Sequence, residues 1–533
     1  MRLQKFFTRN IPTVRRRALS DPWTVVAIII LLRMVVQSIV IQRYGYFVDE
    51  FYYLACSRRP DRGYVDQPPL SIWILYAVRY IAGDSLAVIR APMLLAGALQ
   101  IYFAVKIARL MGAGRFAMVL TALLMAFVPV FAGMNKFYSM NSIDLVFWSG
   151  GTYFILRALR KDRLSDWILA GCVLGLGLLN KISILFPGFA LLSGMLFTSH
   201  RRMLLRPGPY VAGGIALLLF MPYIIWEFQH DWPTLEFMHN AATLKNFFTP
   251  LHFLTGQILE IHPLFAPVWM SGVLALLFWK PLREFQLLGI GYLTLLALFL
   301  VTGAKTYYLA PAYPPLLAAG ALFLEWRIFS ASEQRSKLWI GTLLRSVCLF
   351  VITLGGLLLL PMSLPLLPAH DYLRYQRLLG IAPPQLEKGA NGEMPQHFAD
   401  MFGWSDLQKA VVDAYNAQAE LNRSNTIILA RNYGLAGSLE MIQSEAQLPA
   451  IGSGHNNYFL WGPPQTNTGQ TADYVLLVGF NAVDLQPYCP QLRVLATVSC
   501  ELCPPYRAQT EILLCEQPGI DIQTVWPKLK LFI

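Results

Sequence analysis

Charged residues are scarce in this chain of 533 residues, because Asp, Glu, Lys and Arg together make up 14% of it. Soluble globular domains carry about 25% charged residues, and a soluble protein of this length divides into several domains that each need a charged surface. The shortage therefore excludes an ordinary soluble enzyme. Disorder is excluded as well, because 55% of the residues are hydrophobic and 32 are Phe. The composition predicts a polytopic α-helical membrane protein.

Acidic residues are especially few in the first part of the chain. Residues 1–364 hold 33 Lys and Arg against 16 Asp and Glu, whereas residues 365–533 hold 10 against 15. The basic residues lie between apolar runs, which is typical of the cytoplasmic loops of a membrane protein rather than of a nucleic-acid-binding surface. We expect no nucleic-acid partner.

About eleven apolar runs approach the length of roughly 20 residues that a membrane-spanning helix needs. They lie near residues 23–41, 84–108, 116–134, 141–159, 166–182, 183–199, 208–227, 263–279, 285–303, 307–325 and 338–361. The first 20 residues are strongly basic, and no small-residue cleavage site follows the first run. This pattern predicts an uncleaved first span with a cytoplasmic N-terminus. An odd number of spans then places the C-terminal part outside the cytoplasm.

Residues 365–533 have the alternating strand and helix patterns of a small α/β domain. Thr426–Ala430 and Tyr474–Val478 are candidate strands, and residues 405–421 are a candidate amphipathic helix with Ser405 as its N-cap. We therefore predict a membrane domain over residues 1–364 and an extracytoplasmic α/β domain over residues 365–533, called the tail below.

Cysteine is rare, with seven residues in the chain, and four of them lie in the tail: Cys489, Cys500, Cys503 and Cys515. Cys500 and Cys503 form one CxxC motif, but no second CxxC accompanies it as a zinc site would require. Outside the cytoplasm, two disulfides are favoured over a metal site. Three pairings of the four cysteines are open.

Four acidic residues stand near the predicted external face. Asp49 and Glu50 directly follow the first span, and Asp66 lies in a loop whose tandem prolines end any preceding helix. Asp144 lies about one turn inside an apolar helix, where an unpaired acid costs several kcal/mol and is a functional candidate. The structural alternatives are a solvated helix start for Asp49 and Glu50, and an ion pair with Lys136 or an arginine for Asp144.

Basic and aromatic residues form a second set of candidates. Arg58 and Arg59 lie in the same external loop as the acids, and His262 begins a later external segment. Lys305 stands at the mouth of a span and is followed by tyrosines, of which Tyr308 is the second. A lone lysine there is usually only snorkelling to the interface, but beside tyrosines it suits a lipid-linked phosphate.

In order and spacing, these motifs resemble those of the bacterial glycosyltransferase family 39 proteins. The residues that carry the resemblance are Asp49-Glu50-Phe51-Tyr52-Tyr53, Gly63-Tyr64-Val65-Asp66-Gln67-Pro68-Pro69-Leu70, Ser142-Ile143-Asp144, Asn180-Lys181 and Lys305-Thr306-Tyr307-Tyr308. That family is similar to the protein O-mannosyltransferases and to the lipid A aminoarabinose transferase, which share the GT-C membrane fold. The resemblance covers about residues 20–325. The tail segments Asn432-Tyr433-Gly434 and Ser453 to Pro463 look like the extracytoplasmic domain of a bacterial subgroup.

The resemblance implies an enzyme of the bacterial inner membrane. It would transfer a sugar from a polyprenyl-phosphate carrier to a lipid, glycan or protein acceptor of the cell envelope, on the extracytoplasmic side. No organic cofactor is implied. A divalent metal held by Glu50, Asp66 or His262 stays open.

The resemblance also implies roles for single residues. Asp49 matches the acid at the reaction centre, with Glu50 beside it and Asp144 as the third catalytic candidate. The substrate-binding candidates are Tyr52, Arg58, Arg59, Asp66, Gln67, Lys305, Tyr308 and His262. Gln67 departs from the family, where His or Lys is common, so it offers no charge to the donor phosphate.

The expected chemistry is attack of an acceptor hydroxyl on the anomeric carbon, with inversion. A carboxylate can remove the hydroxyl proton, which contributes roughly 10²–10⁴-fold to the rate, and we predict Asp49 as this base. Arg58, Arg59 and Lys305 are the candidates for stabilising the departing phosphate. The alternative function is a polyprenyl-lipid or small-solute transporter, which predicts internal inverted repeats that the sequence lacks. A non-catalytic scaffold would leave the acids unexplained.

Overall fold

The computed structural model describes residues 21–332, 338–385, 387–466 and 471–533. The predicted basic cluster at the N-terminus lies in residues 1–20, outside the described residues. Arg335 and Lys337, which belong to the last predicted cytoplasmic cluster, also lie outside them. Helices make up most of the first 364 residues, and a mixed β-sheet lies in the tail.

The helices of the first part are numbered in chain order. They are α1 Pro22–Ile39, α2 Val48–Arg58, α3 Leu70–Ala82, α4 Leu86–Met111, α5 Arg115–Phe127, α6 Pro129–Met134, α7 Met140–Lys161, α8 Leu164–Asn180, α9 Leu185–Leu196, α10 Pro207–Gln229, α11 Pro233–Asn240, α12 Pro250–Ile261, α13 Ala266–Phe278, α14 Gln286–Thr302, α15 Tyr313–Ser332 and α16 Leu338–Leu359.

The number of membrane crossings that length and composition support is lower than the eleven predicted. Six described stretches qualify: Pro22–Ile39, Leu86–Met111, Pro207–Gln229, Lys280–Thr302, Thr306–Ile328 and Trp339–Met362. Two bent helix pairs, at residues 182–205 and 250–278, raise the number to eight if each pair is one span. Each predicted run does contain a helix. Helix α5, however, has 13 residues and is about 20 Å long, which is shorter than the hydrocarbon core of about 30 Å.

Small residues set the closest helix contacts in the first part. A Cβ atom at Gly272 in α13 would collide with the Leu316 carbonyl of α15, and one at Gly320 in α15 would collide with the Val268 carbonyl of α13. Glycine at both positions lets the two backbones touch, as is common where membrane helices pack.

The tail has a five-stranded sheet with helices beside it. The strands are β1 Thr426–Ala430, β2 Ile451–Gly452, β3 Tyr474–Val478, β4 Gln491–Ser499 and β5 Gln509–Glu516, in the order β2-β1-β3-β5-β4. Strands β1, β2 and β3 are parallel, and β5 is antiparallel to both β3 and β4. The two predicted strands are confirmed with their bounds.

The helices of the tail continue the numbering. They are α17 Ala369–Leu378, α18 Gln396–Ala399, α19 Trp404–Asn416, α20 Glu420–Arg423, α21 Tyr433–Ile442, α22 Asn457–Leu460, α23 Ala482–Leu485 and α24 Ile522–Val525. The disulfides Cys489–Cys515 and Cys500–Cys503 are formed, as two disulfides were predicted.

The predicted N-cap of α19 was wrong. The helix begins at Trp404 after Gly403, which has a φ of 78°. A Cβ at Gly403 would lie 2.6 Å from Cys503 Sγ and 2.8 Å from Cys500 Sγ. The CxxC disulfide therefore sits where a side chain would be, and the turn into α19 needs glycine in a left-handed conformation.

The tail packs directly on the end of the membrane part. Helix α21 crosses α2 so closely that a Cβ at Gly437 would lie 2.9 Å from the backbone carbon of Phe51. Phe51 and Trp404 meet edge to face at 4.9 Å in the same hydrophobic cluster. The end of the membrane part that meets the tail is called the tail face below.

Candidate active site

Helix α2 carries Asp49, Glu50 and Tyr52 at the tail face, and a buried ion pair fixes its first turn. Arg90 of α4 donates to Glu50 through Nε at 2.8 Å and through Nη2 at 2.6 Å. The backbone NH groups of Phe47 and Tyr138 donate to the same carboxylate at 2.8 and 2.7 Å. Glu50 is fully buried.

The four donors saturate the carboxylate of Glu50. Arg90 also donates to the carbonyls of Ile41 and Gly45, at 2.7 Å each. The pair therefore ties the chain before α2, the first turn of α2 and the segment before α7 together. This environment fixes Glu50 in place and gives it a positioning role at the start of α2, and the catalytic role predicted for it stays a prediction.

Asp49, the adjacent residue, points to the tail instead. The hydroxyl of Tyr433, the first residue of α21, donates to Asp49 Oδ1 at 2.8 Å. Burial raises the pKa of Asp49 above its ordinary value, while the Tyr433 hydrogen bond and the positive charges of Lys245 and Lys305 act in the opposite direction. The carboxylate is half-buried.

Asp66 joins the same group through Tyr52. The Tyr52 hydroxyl lies 2.9 Å from both Asp66 Oδ1 and Asn457 Oδ1 and donates to one of them. The ring of Tyr52 also packs against that of Tyr433, with centroids 4.8 Å apart. Burial raises the pKa of Asp66 to about 7. We call Asp49, Tyr52, Asp66, Tyr433 and Asn457 the Asp49 cluster.

Two lysines of the membrane part lie beside this cluster. Lys305 Nζ donates to Glu387 Oε1 at 2.8 Å, and Lys245 Nζ lies 3.5 Å from the same oxygen. Glu387 belongs to the tail. Burial acts to raise its pKa, but the charges of Lys245 and Lys305 outweigh burial and hold the pKa below its ordinary value. Lys245 and Lys305 are called the lysine pair.

Asp144 lies in a second polar group. Its Oδ2 accepts a hydrogen bond from the Ser183 hydroxyl at 2.7 Å, and its buried Oδ1 has no hydrogen-bond partner among the described residues. The neighbouring Lys181 donates to Asn141 Oδ1 at 2.5 Å. The ion pair with Lys136 considered from the sequence does not form.

Aromatic residues connect the two groups. Lys181 Nζ lies 5.5 Å from the ring centroid of Tyr308, which follows Lys305 by three residues. The backbone NH of Met140, at the start of α7, donates to the Tyr53 hydroxyl at 3.3 Å. These contacts link the surroundings of Asp144 to Tyr308 and to α2, although Asp144 does not contact Asp49.

Arg58 and Arg59 contact the tail rather than the Asp49 cluster. Arg59 Nη1 donates to Glu440 Oε1 at 2.7 Å, and Arg58 Nη1 donates to the Glu440 carbonyl at 3.0 Å. The guanidinium of Arg59 also stacks on the ring of Trp461 at 4.3 Å. Their positive charges are engaged in holding α2 to α21.

Gln67 and His262 also have local partners. Ser71 donates to Gln67 Oε1 at 3.1 Å. His262 Nε2 lies 3.0 Å from the Gly355 carbonyl, and its Nδ1 accepts from the backbone NH of Leu264 at 3.1 Å. His262, Glu50 and Asp66 have separate partners, and within the described ranges no three His, Cys, Asp or Glu side chains are placed to hold a metal ion.

Sequence reasoning did not find four residues of this site: Lys245, Glu387, Tyr433 and Asn457. The last two lie in tail segments that carried the subgroup resemblance, which was the one available signal for them. The geometry combines a half-buried carboxylate, neighbouring hydroxyls and two cations. It can accept a proton from a hydroxyl and stabilise an anion nearby.

Comparisons with known protein sequences give partial matches. Residues 66–226 match the family model described as dolichyl-phosphate-mannose-protein mannosyltransferase. The chain is 28% identical over 238 residues to the lipid A galacturonosyltransferase RgtD of Rhizobium johnstonii. This match covers 42% of this chain and 48% of that protein. It is 27% identical over 169 residues to the undecaprenyl phosphate-alpha-4-amino-4-deoxy-L-arabinose arabinosyl transferase of Pseudomonas aeruginosa, covering 30% of each. The chain thus spans about a third to a half of the length of these relatives.

Comparisons with solved structures cover nearly the whole chain. The crystal structure of ArnT from Cupriavidus metallidurans in the apo state superposes with a TM-score of 0.57 at 17% identity, over 92% of this chain and 98% of that one. The same protein bound to undecaprenyl phosphate gives a TM-score of 0.55 at 14% identity, over 91% of this chain and 97% of that one. The likeness includes the tail and shows a shared fold.

Proposed function

We propose that this chain, which has the GT-C membrane fold, is a polyprenyl-phosphate-dependent glycosyltransferase. It moves a sugar from the carrier to a hydroxyl group of an acceptor outside the cytoplasm, which is an envelope lipid, a glycan or a protein. The observation that carries the proposal is the Asp49 cluster, with a half-buried carboxylate next to the lysine pair. It occurs in a fold whose solved example binds undecaprenyl phosphate.

The reaction that fits this arrangement is a single displacement. The acceptor oxygen attacks the anomeric carbon, and the bond between that carbon and the carrier phosphate oxygen breaks. The acceptor hydroxyl proton passes to the Asp49 carboxylate, and the bonding electrons leave with the phosphate. Because burial raises the pKa of Asp49 towards the working pH, its carboxylate is a stronger base than a solvent-exposed aspartate.

The lysine pair is the proposed site of the carrier phosphate. Lys245 and Lys305 both point at one carboxylate oxygen of Glu387, within 3.5 Å. A phosphate offers the same charge-assisted hydrogen bonds with more acceptor oxygens. We propose that the donor phosphate takes over these contacts and that Glu387 gives them up. Tyr308, whose ring centroid lies 5.5 Å from Lys181 Nζ, would line the donor side.

The remaining predicted residues receive indirect roles. Tyr52 and Asp66 would bind the acceptor next to Asp49, and Asp144 would bind a hydroxyl of the sugar or acceptor through its unpartnered oxygen. Arg58 and Arg59 would hold the tail on α2. No step is routed through a metal, because Glu50, Asp66 and His262 do not converge.

The proposal includes topology. We place the chain in the bacterial inner membrane as a multi-pass protein, with the tail face and residues 365–533 outside the cytoplasm. Support comes from the loops at residues 157–163 and 201–206, in which basic residues outnumber acidic ones.

The test follows the fate of the carrier. Purified protein in vesicles is given short-chain polyprenyl phosphates that carry galacturonic acid, 4-amino-4-deoxyarabinose or mannose, together with envelope lipid extract as acceptor. A glycosyltransferase releases sugar-free polyprenyl phosphate and forms a sugar-bearing product, both detected by mass spectrometry. Movement of intact sugar-carrier between leaflets without release would support the transporter instead and contradict the proposal.

A further inference from the structure

Tyr433 is the point at which the tail reaches the proposed base. It is the first residue of α21, and Asn432 caps that helix by accepting a hydrogen bond from the Leu435 NH at 3.0 Å. The capped first turn fixes where the Tyr433 side chain leaves the helix. Its hydroxyl then lies 2.8 Å from Asp49 Oδ1.

Close packing holds this helix against α2. A Cβ at Gly434 would collide with Val48 Cγ2, and one at Gly437 would lie 2.9 Å from the Phe51 backbone. Val48 and Phe51 flank Asp49 and its turn of α2. With no side chain at either glycine, α21 lies on α2 at backbone distance, and the Tyr433 hydroxyl has little freedom to leave Asp49.

The ring of Tyr433 is held on both sides. Tyr52 packs against it at 4.8 Å and His455 at 4.7 Å. His455 is itself fixed, because its Nε2 lies 2.8 Å from the Ile533 main-chain oxygen. Two separate tail segments and one helix of the membrane part thus define the position of a single hydroxyl.

The electrostatic surroundings of Asp49 come from both parts of the chain. The groups that act on it or feel its charge are Tyr53, Asp66, Lys245, Lys305, Tyr307, Glu387, Asp400 and Tyr433. Of these, Tyr433 is the one that the structure shows hydrogen-bonded to the Asp49 side chain among the described residues. A hydrogen bond donated to a carboxylate stabilises its charged form.

We propose that Tyr433 is a positioning residue that the tail contributes to the active site, and that its hydroxyl orients the Asp49 carboxylate and favours the ionised form that accepts the acceptor proton. This inference rests on the proposed function, in which Asp49 is the base. It means that the tail contributes a side chain to the active site.

The test is the variant Tyr433→Phe, which removes the hydroxyl and keeps the ring. Without the hydrogen bond, the acidic limb of the profile of kcat/KM against pH should move to higher pH by about one to two pH units, since a hydrogen bond to a charged group is lost. KM for the donor should stay the same, because Tyr433 does not contact the lysine pair. Tyr415→Phe is the matched control, since the Tyr415 hydroxyl lies within the tail, 3.3 Å from the Arg423 carbonyl.

A second readout does not depend on catalysis. Carbodiimide modification of Asp49, followed by mass spectrometry across a pH series, reports the protonation of its carboxyl directly. The labelling midpoint should rise in Tyr433→Phe and not in Tyr415→Phe. An unchanged midpoint or an unchanged pH profile in Tyr433→Phe would overturn the inference. If the wild type transfers no sugar but Tyr433→Phe still shows the raised labelling midpoint, the result counts against the proposed function alone.

Discussion

Replacing Arg90 by Ala should strongly destabilise the tail face, because Glu50 would remain buried without its counter-charge. The two side chains are 2% and 0% exposed and are joined by a contact of 2.6 Å. The variant also removes the donors to the Ile41 and Gly45 carbonyls, both at 2.7 Å. The ion pair and these two contacts fix the turn that presents Asp49.

The complete burial of the ion pair determines how much stability the variant should lose. Removing one partner of a buried ion pair costs about 3–5 kcal/mol, so we expect the free energy of unfolding to fall by that amount in Arg90→Ala. The control is Asp84→Ala, which breaks the bridge to Arg79. The side chain of Asp84 is 60% exposed, and exposed pairs contribute at most about 1 kcal/mol.

The assay is chemical denaturation in detergent micelles, followed by tryptophan fluorescence, with the three proteins measured side by side. The double variant Glu50→Leu with Arg90→Met should recover part of the lost stability, because it leaves no buried charge. The recovery is incomplete because the NH groups of Phe47 and Tyr138 lose their acceptor. A change below about 1 kcal/mol in Arg90→Ala would refute the assignment of Glu50 as a positioning residue.

Three further predictions concern the site and the tail. Lys245→Ala and Lys305→Ala should each raise KM for the donor by roughly tenfold or more, because each loses one charge-assisted contact to the phosphate, as initial-rate kinetics would show. Asp66 has a pKa of about 7 in the folded protein, above the ordinary value of about 3.9. Its contribution to stability is therefore fully present below about pH 4 and lost as the pH rises through 7. Denaturation midpoints at pH 4.5 and 8 should show a larger fall in the wild type than in Asp66→Asn. The double variant Cys489→Ser with Cys515→Ser should lose about 3 kcal/mol by the same assay, because the disulfide closes a loop with a sequence separation of 26.

Much of the fold was predictable from the sequence because its signals are local. Long apolar runs and the uninterrupted strands TIILA and YVLLV depend on neighbouring residues alone, and both strands have the predicted bounds. Strand β4 was not identified, because its exposed and half-buried residues alternate without a strongly apolar face. The two-residue strand β2 is too short to leave a pattern. Length and composition of the described helices support fewer crossings than the apolar runs predict, because hydropathy does not show where a helix bends or ends early.

The motifs pointed to the same kind of family as the partial match of residues 66–226, and they located the acids. Asp49 and Asp66 follow recognisable spans and prolines, so their common position at the tail face could be inferred. The position of the lysine pair could not be inferred, because Lys245 and Lys305 meet through Glu387, which lies 82 residues after Lys305. Such a contact depends on how the tail docks.

Arg58 and Arg59 show most clearly which contacts could not be predicted from the sequence. In the sequence, Arg58 and Arg59 look like phosphate ligands, since they are basic and lie close to acids at the right face. Their partner Glu440 is more than 380 residues away and sits on α21. Charge near a motif therefore did not reveal that both arginines contact α21, and their role as substrate ligands stays a prediction.

The measurement that tests the central claim most directly is sugar transfer by Asp49→Asn, compared with the wild type and with Asp84→Asn as an exposed-carboxylate control. Binding of the polyprenyl-phosphate donor is measured on the same preparations. The account predicts that Asp49→Asn binds the donor as tightly as the wild type and transfers sugar at a rate lower by roughly 10²-fold or more, while Asp84→Asn behaves as the wild type. Transfer by Asp49→Asn at the wild-type rate would contradict the assignment of Asp49 as the base.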